Sequence, residues 1–315
     1  MNRTLRAGVI GVGSLGRHHA RVYAELPGVA LAGVYDIKPD RCAEVAGLYG
    51  ARACSDIDDL AAHVDLASVV VPADKHFQVF EPLARHKLHL LVEKPIATGM
   101  EEAEAMVGAA QRNGTVLQVG HVERFNPVMN FLEKHLAHPR FIEATRLSRF
   151  PPPRDAEPPR GTEVSVVLDL MIHDLEIILH LVRSPVSEIH AVGVPVLTRH
   201  EDIANARLLF ANGCVANITA SRISREATRK IRVFQEDTYV SLDYGNQSGK
   251  LHRKSGTGIE VMDVPLVKGE PLVAELASFV ECVRTSGDPM VSGEQASRAL
   301  KLAMDICRAM RESPS

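Results

Sequence analysis

The chain has 315 residues, 45% of them hydrophobic and 24% charged, with a net charge of −3. That is enough for two globular domains, lacks the basic excess of a nucleic-acid binder, and contains no apolar run of the ~18 residues a membrane span needs. Five scattered cysteines, none in a CxxC pair, point to reduced thiols in a cytoplasmic protein and away from a disulfide framework or a zinc site.

The opening MNRTLRAGVIGVG enters a strand-like segment directly, without the apolar core and cleavage site of a signal peptide. Over the first 121 residues, apolar runs at Ala7 to Val12, Leu31 to Tyr35, Leu66 to Val71, Leu88 to Val92 and Val116 to Val119 read as strands buried on both faces. Amphipathic stretches such as Arg17 to Leu26 and Met100 to Asn113 lie between them, with Thr98 and Glu101 as a capping box for the second. Alternation at this spacing predicts right-handed βαβ units in a doubly wound parallel sheet.

GVIGVGSLG sets Gly11, Gly13 and Gly16 in GxGxxG spacing between the first strand and the first helix, with Ser14 and Leu15 opening that helix. The first glycine permits the tight turn, the second lets a pyrophosphate approach the backbone, and the third allows close helix–strand packing. The helix start offers N–H groups to the phosphates. Asp36 ends the second strand, where a carboxylate accepts from the ribose hydroxyls and repels a 2′-phosphate, so NAD is the expected cofactor. At the carboxyl edge of the sheet, where ligands bind in this architecture, stand Pro72 with His76 behind it, then Glu93-Lys94-Pro95, then VGHVERFNP with Arg124 and Asn126. A lone lysine at a strand end is more often a solvated charge, but this one has company.

Beyond His121 a helical pattern (Pro127 to Ala137) leads to a strand at Phe141 to Phe150 and then to PPPRDAEPPRG, with five prolines in eleven residues, which excludes helix and inner strand. Next comes LDLMIHDLEIILHL at 168–181. On a helix, at about 100° per residue, Asp169, His173, Glu176 and His180 share one narrow stripe on a mostly apolar surface. Buried polar groups need partners, so the stripe is either a structural network or part of a site. Four ligands on one rigid helix do not converge on a tetrahedral ion, so no metal is expected. From Val186 to Val264 the alternation has period two, with an Asn212-Gly213 hairpin between Ala204–Phe210 and Cys214–Ser221. The mixed alternation of NARLLFANG and CVANITASR suggests a second sheet face covered by another copy, a dimer or tetramer. Leu272 to Thr285 and Gly293 to Met310 read as two terminal helices. The expected division is 1–121 for the cofactor, 122–290 for substrate and oligomerisation, and 291–315 as a helix packing back on the first domain.

The glycine loop, the EKP after the fifth strand, and Asp169 with His173 four residues later resemble the glucose–fructose oxidoreductase and inositol dehydrogenase family along essentially the whole chain. The resemblance implies a Rossmann domain followed by a mainly antiparallel open sheet covered by helices. It also implies that Lys94, Asp169 and His173 face the carbon that loses hydride. A histidine suits a hydroxyl proton near neutral pH, and a cationic lysine steadies a developing alkoxide. Which of the two takes the proton is left open. Asp169 can orient the imidazole, while Glu176 and His180 are left to structural hydrogen bonding.

Several segments (VVLDLMIHDLEIILHLV, DIANARLLFANGCVANITASR) resemble the nucleotide-sugar branch of the family. That implies oxidation of the 3-hydroxyl of UDP-N-acetylglucosamine, feeding an aminotransferase that makes a 3-amino sugar of the lipid A type. Arginines at 124, 146, 149, 154, 160, 222 and 225 are candidates for a diphosphate. RGTEVSVVLD stands where many members have a glycine-rich run, which nominates Arg160 and Thr162, with Glu163, as substrate-side residues. The rival expectations are a dehydrogenase of a free sugar or inositol, and a non-catalytic NAD-binding regulator.

Overall fold

The structure is a computed structural model describing residues 3–152, 159 and 161–312. It divides into two compact units, one of residues 1–125 and 270–297, the other of 126–269 and 298–315.

The first unit holds β1 (Leu5–Ile10), α1 (Ser14–Glu25), β2 (Val29–Tyr35), α2 (Pro39–Tyr49), β3 (Arg52–Ala53), α3 (Ile57–Ala61), β4 (Leu66–Val69), α4 (His76–Arg85), β5 (His89–Glu93), α5 (Met100–Asn113) and β6 (Leu117–Gly120). Its six strands run in the order β3-β2-β1-β4-β5-β6, all parallel. Strands buried on both faces explain the unbroken apolar runs. The capping box is not formed: Gly99 is the N-cap of α5, and the Thr98 hydroxyl donates to Glu102 instead, at 3.3 Å.

The second unit begins with α6 (Pro127–His135) and β7 (Phe141–Leu147). After the proline-rich segment, most of which lies outside the described residues, a π-helical turn at Val167–Met171 runs into α7 (Ile172–Val182). Then follow β8 (Val186–Val194), β9 (Ile203–Phe210), β10 (Val215–Ser221), β11 (Thr228–Gln235), β12 (Thr238–Asp243), β13 (Ser248–Ser255) and β14 (Gly258–Asp263). The eight strands order as β14-β13-β12-β11-β7-β10-β9-β8, antiparallel except for β7 beside β10. Gly213, at φ 83°, makes the expected hairpin turn, and Asn212 Oδ1 accepts from Cys214 N at 3.1 Å. One sheet face packs its alternate residues (Ile142, Val233, Val240, Leu251) into the apolar core with α7. On the other face, registered neighbours Leu209, Val215, Phe141, Phe234, Tyr239, His252 and Val261 form one row across seven strands. Its rings stack at centroid separations of 4.9 Å (Phe234–Tyr239) and 4.0 Å (Tyr239–His252).

The tail forms α8 (Pro271–Thr285) and α9 (Gly293–Glu312), with an arrangement that differs from the expected one. It is α8 that joins the first core, through Leu276, Phe279 and Val280. From Arg298 onward α9 belongs to the second unit, its Ala299, Leu302, Ala303 and Ile306 lying in that core. An amphipathic pattern says that a face is buried, but not against which partner. Among the described residues no helix is long and apolar enough to cross a membrane.

Candidate active site

In the first unit the glycine turn is built as a cradle. Gly11 has φ +83°, and a Cβ there would sit 2.8 Å from Val71 Cγ1. A Cβ on Gly16 would sit 2.9 Å from the Gly11 carbonyl carbon. Gly13 differs: the nearest atom a Cβ would meet is Arg41 Nη1, at 3.6 Å, so its missing side chain serves the space in front of the loop. Gly13 caps α1 with no side-chain hydrogen bond, which leaves the first-turn N–H groups at Ser14 and Leu15 for an anion. Asp36 turns toward this loop, Oδ2 accepting from Val12 N and Oδ1 from Lys38 N, each at 2.9 Å. Arg41 lies 3.4 Å from the same carboxylate. An open glycine, a free helix start and an oriented acid fit a dinucleotide.

The segment after β5 is held from below. Glu93 Oε1 lies 3.1 Å from His19 Nε2 on α1, and Oε2 accepts from Lys94 N at 3.3 Å. Gly120 on the neighbouring strand makes room, since a Cβ there would stand 2.8 Å from the Glu93 carboxyl carbon. Burial opposes the Glu93 charge, but the hydrogen bond and charge of His19, with Lys94 and His76, outweigh it and hold the carboxyl below its ordinary value. Fully buried Glu275, on α8, goes the other way: burial and then the Glu93 charge raise it well above the usual carboxylate range. Two neighbouring carboxyls do not both ionise in such surroundings, so Glu275 keeps its proton. Burial, aided by the Lys94 charge, pushes His121 down to about 3, so that imidazole is neutral. Half-buried Lys94 follows Glu93, and the Lys94–Pro95 peptide bond is cis.

Two expected cofactor ligands have other work. His76 is 1% exposed, with Nδ1 2.9 Å from Pro95 O and Nε2 3.0 Å from Val71 O; a neutral ring donates to one of these two carbonyls, and it packs between the segment after β4 and the one carrying Lys94. Glu93 turns inward to His19. Pro72 opens the short turn before α4 and is exposed. Arg124 is buried in the first unit.

In the second unit Asp169 lies in the π-helical turn and His173 in the first turn of α7, both half-buried. π-turns of this kind are frequent at functional positions. The Asp169 carboxylate rests against Gly161 (φ +80°), where a Cβ would stand 2.8 Å from Asp169 Cγ. Along the stripe, Glu176 is buried and His180 Nε2 meets Glu133 Oε1 on α6 at 2.9 Å.

Several of the residues expected on the substrate side have structural partners here. Thr162 donates its hydroxyl to Pro159 O at 2.6 Å, closing a turn. Asn126 caps α6, accepting from Val128 N at 3.4 Å, and donates to Tyr244 O at 3.2 Å. Two of the diphosphate candidates are core residues: Arg146 pairs with buried Asp174 at 2.7 Å, and Arg222 is 1% exposed. Arg149 and Arg225 lie nearer the surface, joined by an Arg149 Nε bond to Arg225 O at 2.9 Å. Arg154 and Arg160 lie outside the described residues. Among the described residues no cluster of His, Cys, Asp or Glu is able to hold a metal ion. Sequence reasoning missed His19, Asp174, Asp202 and Glu275; places on the buried faces of amphipathic helices hinted at His19, Asp174 and Glu275, and nothing hinted at Asp202, in the loop before β9.

A Rossmann unit with an open glycine cradle, in one chain with a mainly antiparallel sheet, defines a dinucleotide-dependent oxidoreductase. Residues 5–121 match the family described as "Oxidoreductase family, NAD-binding Rossmann fold", and residues 133–240 match the GFO/IDH/MocA C-terminal domain. The chain belongs to the GFO/IDH/MocA oxidoreductase family, with NAD as its cofactor.

UDP-N-acetylglucosamine 3-dehydrogenase of Acidithiobacillus ferrooxidans is 38% identical over 309 residues, 96% of each chain. A solved structure of that enzyme matches with a TM-score of 0.91 over 97% of both chains. scyllo-Inositol 2-dehydrogenase (NAD(+)) of Bacillus subtilis is 24% identical, covering 99% of this chain and 95% of its own. Levoglucosan dehydrogenase, solved with NADH and L-sorbose, shares the fold at 17% identity, with a TM-score of 0.88 over 98% of this chain and 97% of its own.

Proposed function

We propose that this chain oxidises the 3-hydroxyl of UDP-N-acetylglucosamine to the 3-keto nucleotide sugar. The observation that carries the reading is the 38% identity, over 96% of both chains, to an enzyme named for that reaction. It is supported by a glycine cradle and Asp36 suited to NAD and by Lys94, Asp169 and His173 at the positions the family resemblance assigns. The reaction balances as one secondary alcohol and one oxidised NAD giving one ketone, one NADH and one proton.

Gly11, Gly13, Gly16, Ser14 and Leu15 hold the pyrophosphate, and Asp36 holds the adenosine ribose. NAD, when bound, supplies the hydride acceptor. His173 accepts the hydroxyl proton, since an imidazole changes charge near neutral pH. Lys94 presents a cation to the oxygen as negative charge develops. Asp169, one helical turn before His173, orients the imidazole or a neighbouring sugar hydroxyl.

The keto product suits an aminotransferase making a 3-amino sugar of the lipid A type. Five free cysteines, four of them buried, are consistent with work in the reducing cytoplasm. The row from Leu209 to Val261 on the open sheet face is suited to a second copy of the chain, giving a homo-oligomer.

The test is mass spectrometry of UDP-N-acetylglucosamine after incubation with stoichiometric enzyme and NAD, beside a Lys94→Met control. Loss of two hydrogens from the sugar, absent in the control, is the expected result. An unchanged nucleotide sugar with NAD bound overturns the substrate. Turnover of inositols or free sugars would then identify a polyol dehydrogenase, and no turnover of any alcohol a regulator.

A further inference from the structure

Sequence alone offers Arg222 as one arginine among seven for a diphosphate, yet it is the largest fully buried side chain among the described residues. Its guanidinium donates to the carbonyl oxygens of Gly161, of Val164 at 2.6 Å and of Glu201 at 2.9 Å. Asp202 Oδ1 stands 3.4 Å from Nε. Asp202 is itself fixed, with Oδ2 accepting from the backbone N–H groups of Val196, Leu197 and Thr198 at 2.9, 2.6 and 2.8 Å. The Glu201 carbonyl also accepts from Val166 N at 2.9 Å. Arg222 therefore ties the 161–166 segment to the loop before β9. Burying a guanidinium is costly unless its donors are satisfied; here both Nη groups are bonded to carbonyls of the chain leading into Asp169, while Nε has the Asp202 charge beside it but no hydrogen bond among the described residues.

The link to Asp169 is direct. Gly161, whose carbonyl Arg222 holds, is the residue against which the Asp169 carboxylate rests. The Asp169 charge is also the strongest of those supporting the buried Arg222 cation, ahead of Asp202, Glu163 and Glu201.

We propose that Arg222 is the positioning residue for Asp169: it clamps the Gly161–Val166 segment, and with it the orientation of the Asp169 carboxylate one turn before His173. This rests on the role given to Asp169 in the reaction above. The clamp does here what a flexible glycine-rich run cannot do, fixing the approach to the helix by one guanidinium. A side chain at 161 would intrude on the same carboxylate.

A double-mutant cycle tests it in the full-length enzyme, using Arg222→Met, Asp169→Asn and their combination, with kcat and KM for UDP-N-acetylglucosamine as readouts. Arg222→Met should lower kcat by about 100-fold, the scale of a misplaced catalytic group, with NAD affinity unchanged. In the Asp169→Asn background the same substitution should cost less than about threefold, because residues acting as a unit are non-additive. Arg222→Lys should recover part of kcat, since an ammonium reaches some of the carbonyls but not all three.

Should Arg222→Met fail to fold, Gly161→Ala applies the same test by pushing the carboxylate from the other side. It too should lower kcat in the wild type and have little further effect with Asp169→Asn. Full additivity of either substitution with Asp169→Asn overturns the clamp while leaving the proposed reaction standing. An Asp169→Asn enzyme with wild-type kcat overturns the role of Asp169 itself.

Discussion

The two units bury ionisable groups in opposite ways. In the second, Arg146 faces Asp174 at 2.7 Å with both side chains nearly inaccessible, and Arg222 faces Asp202 with further donors on carbonyls. In the first, two carboxyls, Glu93 and Glu275, lie in one buried region. Glu93 has His19 as a partner, while both Glu275 oxygens lack one among the described residues. A matched guanidinium–carboxylate pair keeps its charges at any ordinary pH and acts as fixed scaffolding for the side chains on α7. An acid crowded against another carboxylate keeps a proton instead, and its contribution to stability changes with pH. Rigid charge pairing belongs to the second unit and proton sensitivity to the first.

Removing one side of a matched pair should have the largest effect. Asp174→Asn leaves Arg146 buried without this counter-charge and should cost about 3–5 kcal/mol, read as a lowered urea midpoint with unchanged m. Replacing both partners with apolar residues of similar size should recover most of the loss. An Asp174→Asn protein as stable as wild type would erase the contrast between the units.

Acid should act on the first unit. His121 is depressed to about 3 in the folded chain against an ordinary 6.5, and His76 is also lowered, in each case chiefly by burial. Below pH 6.5 the unfolded chain takes up protons that these native imidazoles refuse. Their contribution is therefore complete above 6.5 and is lost as pH falls toward the folded values, by about 1.4 kcal/mol per pH unit for each group. His121→Phe should flatten that slope in urea titrations run from about pH 7 down to about pH 4. An unaltered slope would show that His121 is already protonated in the native state.

Glu275 has the opposite sign. Its folded value is raised above the unfolded 4.5, so its contribution is complete below 4.5 and declines as pH rises toward the folded value. Glu275→Gln removes that decline. The variant should gain on wild type by about 1.4 kcal/mol per pH unit above 4.5 until the native carboxyl ionises. Thermal unfolding at about pH 5 and about pH 8 checks it, and a difference that does not grow with pH contradicts it. The smallest expected effect is at the cradle. Asp36→Asn keeps an acceptor for Val12 N but loses the charge, and should weaken NAD binding about tenfold by calorimetry.

What the sequence could say followed the range of the interactions involved. Gly11, Gly13, Gly16 and Asp36 act within one βαβ unit, largely through backbone N–H groups, so a short spacing rule captures them. The Asn212-Gly213 turn is local in the same way. Arg222 is different. Its partners come from 161, 164, 201 and 202, and nothing near it in the chain marks it as buried. Asn126 and Thr162 are legible as polar residues near the motifs, but their hydrogen bonds go to a helix start and a turn. The exchange of partners between α8 and α9 escapes a sequence reading because apolar periodicity carries no address.

The most direct measurement is the fate of a deuterium placed at C3 of UDP-N-acetylglucosamine, followed into the reduced nicotinamide by mass spectrometry of a stoichiometric reaction. Deuterium in the reduced cofactor, matched by a 3-keto sugar, is the predicted result. Reduced cofactor carrying only protium, with the C3 label still in the sugar, would contradict oxidation at that carbon.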